Sequence, residues 1–343
     1  MPLAHPRSAQ VAKFNDLQGR LRVSVTHACQ LRCKFCHQEG IAAHWKPVHI
    51  ALEVFGELAR SYASIGGQLL EITGGEPTLH PQIGELLVAG AEAGCQVVLC
   101  TNGLQLDRVT AQLRPDIVHL LRLSLHHGPR ASNAGVSARE LLGRAWDFDR
   151  IERNLLGAIE QGVHVQLIFT HTQSNADQLA KVLELASRWR VDLQIVDLIA
   201  SRVGDPSSTL GYMPGSEAEK PVSRYAHLTR EITDRTGAVL REYCTAGGAT
   251  WEIKDYHFGV LHSDMCRGCA LRTRCGEGIY ALRVDALGIA KPCLLRDDLE
   301  FDIFSGQTLG VSVADALHRG IAMMLASPIE WSYDDGADTP TLR

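Results

Sequence analysis

The sequence has 343 residues, is 45% hydrophobic and carries a formal net charge of −5 without long runs of one sign. That length suits a large α/β domain with a smaller one beside it, and the charge gives no electrostatic reason to capture nucleic acid. No run of about 18 apolar residues marks a membrane span, and "MPLAHPRSAQVAKFND" lacks the apolar core of a secretory signal, so a cytoplasmic location is expected.

Strand and helix signals alternate along the chain. "RLRVSVT" (20–26) has the alternation of a strand, and "ALEVFGELARSYASIG" (51–66) follows as an amphipathic helix. "QLLEIT" (68–73) reads as a strand, "HPQIGELLVAGAEAG" (80–94) as a helix and "CQVVLCTNG" (95–103) as a strand ending in a turn. "IVHLLRLSLH" (117–126) is a further strand. The helix "DFDRIERNLLGAIEQG" (147–162) has Asp147 as its N-cap and Gly162 just past its end. Strand "VHVQLIFT" (163–170), helix "NADQLAKVLELASRW" (175–189) and strand "LQIVDLIA" (193–200) complete six β/α units, which argues for parallel strands covered by helices. Gly, Pro and Ser break the rhythm at 201–221. "VSRYAHLTREITDRTG" (222–237) then reads as a connecting helix into a short-strand, cysteine-bearing C-terminal region.

Ten cysteines without an export signal point to metal or redox chemistry in a reducing compartment rather than disulfides. Cys29, Cys33 and Cys36 are spaced C-x3-C-x2-C just after the first strand, at the end where open α/β sheets and barrels place their chemistry. Three thiolates can hold three irons of a [4Fe–4S] cluster and leave the fourth open to a small molecule. They can also bind zinc with His37 as fourth ligand. After the second strand, Gly74-Gly75 allow a sharp turn and a close backbone approach, Glu76 offers a carboxylate to a ligand ammonium, and Pro77 stiffens the turn.

Together the cysteine loop, with Phe35 before its third cysteine, and "TGGEPT" resemble the radical S-adenosylmethionine (SAM) superfamily. The resemblance implies that Cys29, Cys33 and Cys36 hold a [4Fe–4S] cluster whose free iron is chelated by SAM. Reductive cleavage of SAM would give a 5′-deoxyadenosyl radical that abstracts hydrogen from substrate, with a donor such as flavodoxin or ferredoxin supplying the electron. It implies further that Gly74, Gly75, Glu76 and Pro77 bind the SAM amino group. Asn102 in "TNG" and Ser124 in "LSLHH" resemble family positions at strand ends, although Thr101-Asn102-Gly103 also fits an ordinary turn. Asn175 resembles a family Asn that opens the next helix, or is only an N-cap. His126 and His127 are loop histidines or proton carriers for substrate.

Cys266, Cys269, Cys275 and Cys293 begin with a C-x2-C unit and have metal-binding spacing, zinc and iron–sulfur being the two readings. Beside a radical SAM core, the resemblance implies a second, auxiliary [4Fe–4S] cluster. "ALRVDALGIAKPCL" resembles the end of the molybdenum-cofactor GTP 3′,8-cyclase family, with Arg283, Gly288, Pro292, Cys293 and Leu294 in matching places and Arg22 matching near the start. The spacing of the other three cysteines leans toward SPASM and twitch auxiliary domains. The fold implied is α/β: a partial (β/α)6 TIM-like barrel over 1–205, a linker and connecting helix over 206–236, and an auxiliary iron–sulfur domain over 237–343. Cys95 and Cys100 read as small core residues, and Cys244 as a possible further cluster ligand.

Departures from the cyclases bear on substrate. Leu69 and Glu71 stand where those enzymes carry basic residues for the triphosphate, Ala281 replaces an arginine, and the sequence ends "DTPTLR" rather than Gly-Gly. A carboxylate at 71 is expected to repel phosphates. The expected substrate is therefore a small nucleoside- or sugar-type metabolite, held by Arg22 and Arg283. The alternatives are a ribosomally made peptide, disfavoured because the cysteine loop already begins at residue 29, and GTP itself. No nucleic-acid or membrane partner is expected.

Overall fold

A computed structural model describes residues 6–36, 47–129, 137–143, 146–198, 210–233, 238–255, 261–272, 275, 277, 281–326 and 330–331. The chain opens with α1 (Pro6–Asp16) and β1 (Arg20–Ser24). It continues through α2 (Leu52–Ser64), β2 (Leu69–Thr73), α3 (Ile83–Glu92), β3 (Gln96–Thr101) and β4 (Leu120–Ser124). Next come α4 (Ala138–Leu142), α5 (Phe148–Glu160), β5 (Val165–His171), α6 (Leu179–Trp189) and β6 (Asp192–Asp197). The remainder comprises α7 (Glu219–Val222), β7 (Ala226–Thr233), β8 (Val239–Thr245), β9 (Thr250–Asp255) and β10 (Leu261–His262). These are followed by β11 (Ala281–Val284), β12 (Ile289–Lys291), β13 (Phe301–Asp302), α8 (Val313–Met324) and β14 (Glu330–Trp331).

Strands β1 to β6 are parallel and lie side by side in sequence order. Parallel crossovers are right-handed, so an unreversed order puts every crossover on one face and the sheet curls around the other. Alternate residues divide accordingly. Leu21, Val23, Leu70, Ile72, Leu99, Leu121, Leu123, Leu167 and Ile195 are buried in the apolar core. On the opposite face stand Arg20, Arg22, Glu71, Cys100, Arg122, Gln166 and Gln194, most of them only half-buried. That pattern is a hollow, polar lumen inside an apolar wall, the partial barrel expected from the sequence.

The curl does not close on itself. β9 pairs parallel with β6 at one edge and β11 pairs parallel with β1 at the other, giving a twelve-stranded sheet in the order β13-β12-β11-β1-β2-β3-β4-β5-β6-β9-β8-β7. Outside the barrel, α8 lies against α2 and α1.

Asp147 caps α5 by accepting from the Arg150 amide, and Gly162 follows with φ of 79°. The expected connecting helix over 222–237 is corrected. Residues Ala226–Thr233 form β7, an antiparallel partner of β8. Leu228 and Ile232 mimic helical spacing, but Thr229, Ile232 and Thr233 are β-branched. Cross-strand pairs, Arg230 with Glu242 at 2.7 Å and Arg241 with Glu231 at 2.6 Å, hold the hairpin instead.

Candidate active site

The cysteine loop leaves β1 and is zipped onto the loop after β2. Val25 N–H donates to the Thr73 carbonyl (2.9 Å), Gly75 N–H to that of Thr26 (2.8 Å) and Glu76 N–H to that of Ala28 (2.7 Å). Gly75 is required sterically, since a Cβ there would lie 2.3 Å from the Ala28 oxygen and 2.9 Å from Cys29 Cβ. Gly74, at φ 146°, faces Thr26 O equally closely. From the far side, Arg32 and Lys34 amides donate to the Leu142 and Leu141 carbonyls, so α4 rests on the loop. Cys29 and Cys33 are half-buried and Cys36 is exposed. Burial, then the Cys36 and Cys29 sulfurs, push the Cys33 thiol up to about 12. Three neighbouring thiols of this kind become thiolates together only when a metal centre takes up their charge, so the donor set fits an iron–sulfur cluster. His37, the fourth ligand of the zinc reading, lies outside the described residues. Among the described residues no three His, Cys, Asp or Glu side chains converge on one metal ion.

Glu76 is 1% exposed and its carboxylate is turned into the protein. Oε1 accepts from Thr78 N–H (3.1 Å), Thr78 Oγ1 (2.6 Å) and Thr101 Oγ1 (2.6 Å), while Oε2 accepts from Asn102 N–H (2.8 Å). Burial nevertheless leaves its carboxyl above the ordinary range, the four donors only opposing that rise. Pro77 opens the short 3₁₀ turn that follows. Asn102 Oδ1 accepts from Gln30 Nε2 (3.1 Å) and Leu104 N–H (3.1 Å), tying the turn after β3 to the cysteine loop.

His126 Nδ1 accepts from Thr170 N–H (3.1 Å), which fixes a neutral ring with its proton on Nε2. Burial holds its pKa down at about 3, and the ring packs edge-on against Phe35 with centroids 4.3 Å apart. It braces the cysteine loop. His127 donates Nδ1–H to the Gly128 carbonyl (2.8 Å), which makes Nε2 its acceptor. Ser124 ends β4 on the lumen face. Asn175 is fully buried and spent: Oδ1 accepts from Thr172 N–H and Oγ1, and Nδ2 donates to the Thr170 and His126 carbonyls. It is the third residue of a capping box whose N-cap is Thr172.

Within the lumen, Glu71 behaves differently from the sequence expectation. It is 1% exposed and lies among three guanidinium groups: Arg22 at 2.6 Å, Arg20 at 3.4 Å and Arg122 at 3.5 Å. Burial alone would raise its carboxyl, but Arg22, Arg20 and Arg122 outweigh burial and hold it far below the usual carboxylate range. The local sum is three positive charges against one negative. Glu71 gathers cations rather than making the lumen repel anions. Cys100, read as core filler, faces the same lumen and donates its thiol to Glu71 Oε1 at 2.7 Å. Cys95 does sit in the core. Arg283 stands beside Arg22 across the β1–β11 register, buried and ion-paired with Glu277.

Cys266, Cys269, Cys275 and Cys293 line one cavity together with His262, Met265 and Leu295. Four sulfurs on one mostly apolar wall fit a cluster. Cys244 lies on β8 opposite His227, with its thiol on the Thr245 carbonyl, and does not line that cavity.

A three-cysteine loop zipped to a Gly-Gly-Glu-Pro turn at the mouth of a partial barrel defines a radical SAM enzyme, and residues 23–186 match the radical SAM superfamily. That match spans both the cysteine loop and the Gly-Gly-Glu-Pro turn; the cofactors such a site takes are a [4Fe–4S] cluster with SAM, and the four C-terminal cysteines fit a second, auxiliary [4Fe–4S] cluster. More particularly, it is similar to curated GTP 3′,8-cyclases. It is 28% identical over 297 residues to a probable one from Metallosphaera sedula, covering 84% of this chain and 86% of that one. It is 28% identical over 247 residues to one from Rhizobium etli, covering 69% of each. Among solved structures, SuiB of Streptococcus suis bound to S-adenosylmethionine superposes with a TM-score of 0.61 at 18% identity, over 91% of this chain and 70% of that one. That last likeness is one of fold.

Proposed function

We propose that the protein performs a GTP 3′,8-cyclase-type reaction on a purine nucleotide bound in the barrel lumen. The observation that carries this reading is the cluster of Arg20, Arg22 and Arg122 around Glu71. It places a surplus of positive charge about two residues, roughly 6–7 Å, below the strand ends where the cysteine loop sits. The similarity to curated cyclases along most of both chains supports it. Cys29, Cys33 and Cys36 would hold the SAM-binding cluster, and Cys266, Cys269, Cys275 and Cys293 the auxiliary one. When bound, the first cluster and SAM supply the radical that abstracts hydrogen.

The chain's own residues orient and shield. Gly74 and Gly75 bring backbone close to the SAM amino group, with Pro77 stiffening their turn. Glu76 acts by fixing Thr78, Thr101 and Asn102 around that turn. Ser124 and the Thr172-capped turn that Asn175 braces border the SAM site at the ends of β4 and β5. Arg22, Arg20 and Arg122 clamp the anionic group, with Arg283 beside them. His127, whose Nδ1–H is held by the Gly128 carbonyl, is placed to move a substrate proton, while His126 is engaged by the Thr170 amide and braces the cysteine loop. The electron comes from a flavodoxin- or ferredoxin-like donor in a reducing cytoplasm.

A second reading, a nucleoside or sugar without the triphosphate, is favoured by Leu69 and Ala281, which line β2 and β11 without charge. Anaerobically reconstituted enzyme with GTP, SAM and dithionite should yield the cyclised nucleotide and 5′-deoxyadenosine together. Formation of 5′-deoxyadenosine with guanosine but not with GTP would replace the first reading by the second.

A further inference from the structure

The arginine cluster is one end of a longer belt. Arg122 Nε donates to Gln166 Oε1 (3.1 Å), and Gln166 Nε2 donates to Glu252 Oε2 (3.3 Å). Gln194 Nε2 donates to that same oxygen at 2.8 Å. The belt crosses the lumen from β1 to β9, one side chain handing on to the next.

Its far end is open. Trp251 and Ile253 are buried in the apolar wall, so Glu252 between them faces the lumen, where it is half-buried rather than sealed. Two amides hold Oε2 in place. Oε1 accepts no hydrogen bond among the described residues. A carboxylate oxygen fixed by its partner oxygen, inside a low-dielectric lumen, is a strong acceptor that cannot turn away. Carboxylates accept but do not donate, so it rewards an N–H group and penalises a carbonyl oxygen placed against it.

We propose that Glu252 is a substrate-recognising residue whose Oε1 accepts hydrogen bonds from the N–H edge of a base while the same molecule's phosphate rests on Arg20, Arg22 and Arg122. This rests on the reading that a purine nucleotide enters the lumen. Guanine matches the pattern, with N1–H and the 2-amino group adjacent. Xanthine presents a carbonyl oxygen where guanine has the amino group, and adenine has a lone pair at N1. The belt is thus a two-ended cradle: cationic toward β1, acceptor toward β9, with Gln166 as the spacer.

The test is calorimetric titration of the reconstituted, SAM-loaded enzyme with GTP and with xanthosine triphosphate, anaerobically and without reductant so that no turnover intervenes. The wild-type protein should bind GTP at least tenfold more tightly than xanthosine triphosphate. Glu252→Gln presents an amide that can donate to the xanthine carbonyl, so it should bring the ratio to one or invert it with SAM affinity retained. Equal binding of the two nucleotides by the wild type, or a preference unmoved by Glu252→Gln, would overturn the assignment of Glu252 and leave the nucleotide reading standing. Binding of neither nucleotide by the wild type would overturn both.

Discussion

Glu71 sits on the middle of β2 with Arg22 directly across the strand pair. Removing its charge leaves three guanidinium groups facing one another with no counter-ion. Breaking a buried ion pair commonly costs about 3–5 kcal/mol, and here the arginines are partly solvated, so Glu71→Gln should cost on the order of 2–3 kcal/mol. The pH dependence has a definite sign. A folded-state carboxyl held below its unfolded value of 4.5 contributes stability that is complete above that pH and is lost as pH falls through the folded value. Thermal unfolding of wild type and Glu71→Gln should therefore differ most at neutral pH, and the gap should narrow progressively as pH falls below about 4.5. A gap independent of pH would show that shape, not charge, accounts for it. A sequence pattern showed that residue 71 departs from the cyclases. It did not show that strand pairing and lumen curvature bring Arg20, Arg22 and Arg122 onto that one carboxylate.

At the scale of the element, α4 shows how little structure is needed to steady a cofactor loop. Five residues, Ser137-capped at one end and followed by Gly143 at φ 71°, lend two carbonyls to the cysteine loop. A Cβ at Gly143 would lie 2.6 Å from the Arg32 oxygen. Gly143→Val should push α4 off the loop and weaken SAM binding by about tenfold, or 1.4 kcal/mol, with little change in the melting temperature. Equal losses of both would mean that α4 is part of the global fold rather than a local clamp. The strands and long helices were legible because their periodicity runs over many residues and matches a buried wall. The short α4 escaped notice because five residues carry too little periodicity. β7 was misread because Leu228 and Ile232 repeat at helical spacing on an exposed hairpin that packs against little.

On the scale of the molecule, two cysteine sets stand at opposite reaches of the sequence but share one scaffold. β1 carries the first, and the β11–β12 hairpin leads to Cys293 in the second. If each set holds a four-iron cluster, reconstituted protein should bind about eight irons per chain and Cys293→Ser about four. A zinc equivalent appearing with four irons in the wild type would reassign the auxiliary site. Both sets were readable from cysteine spacing alone. The lumen was not, because its members come one or two at a time from separate strands and no local pattern announces them.

The pairing of β11 with β1 also sets an order of events during synthesis. Arg20 lies opposite Ala281, so the strand that bears the cysteine loop has one open edge until some 260 further residues have left the ribosome. Such distant pairing carries a large loop-closure cost, and an unpaired parallel edge is an invitation to other chains. The half-made protein is thus a barrel with its first stave loose. Iron delivered before β11 arrives would meet three cysteines beside an unfinished strand, whereas iron delivered afterwards meets a first strand paired on both edges, with β2 and with β11.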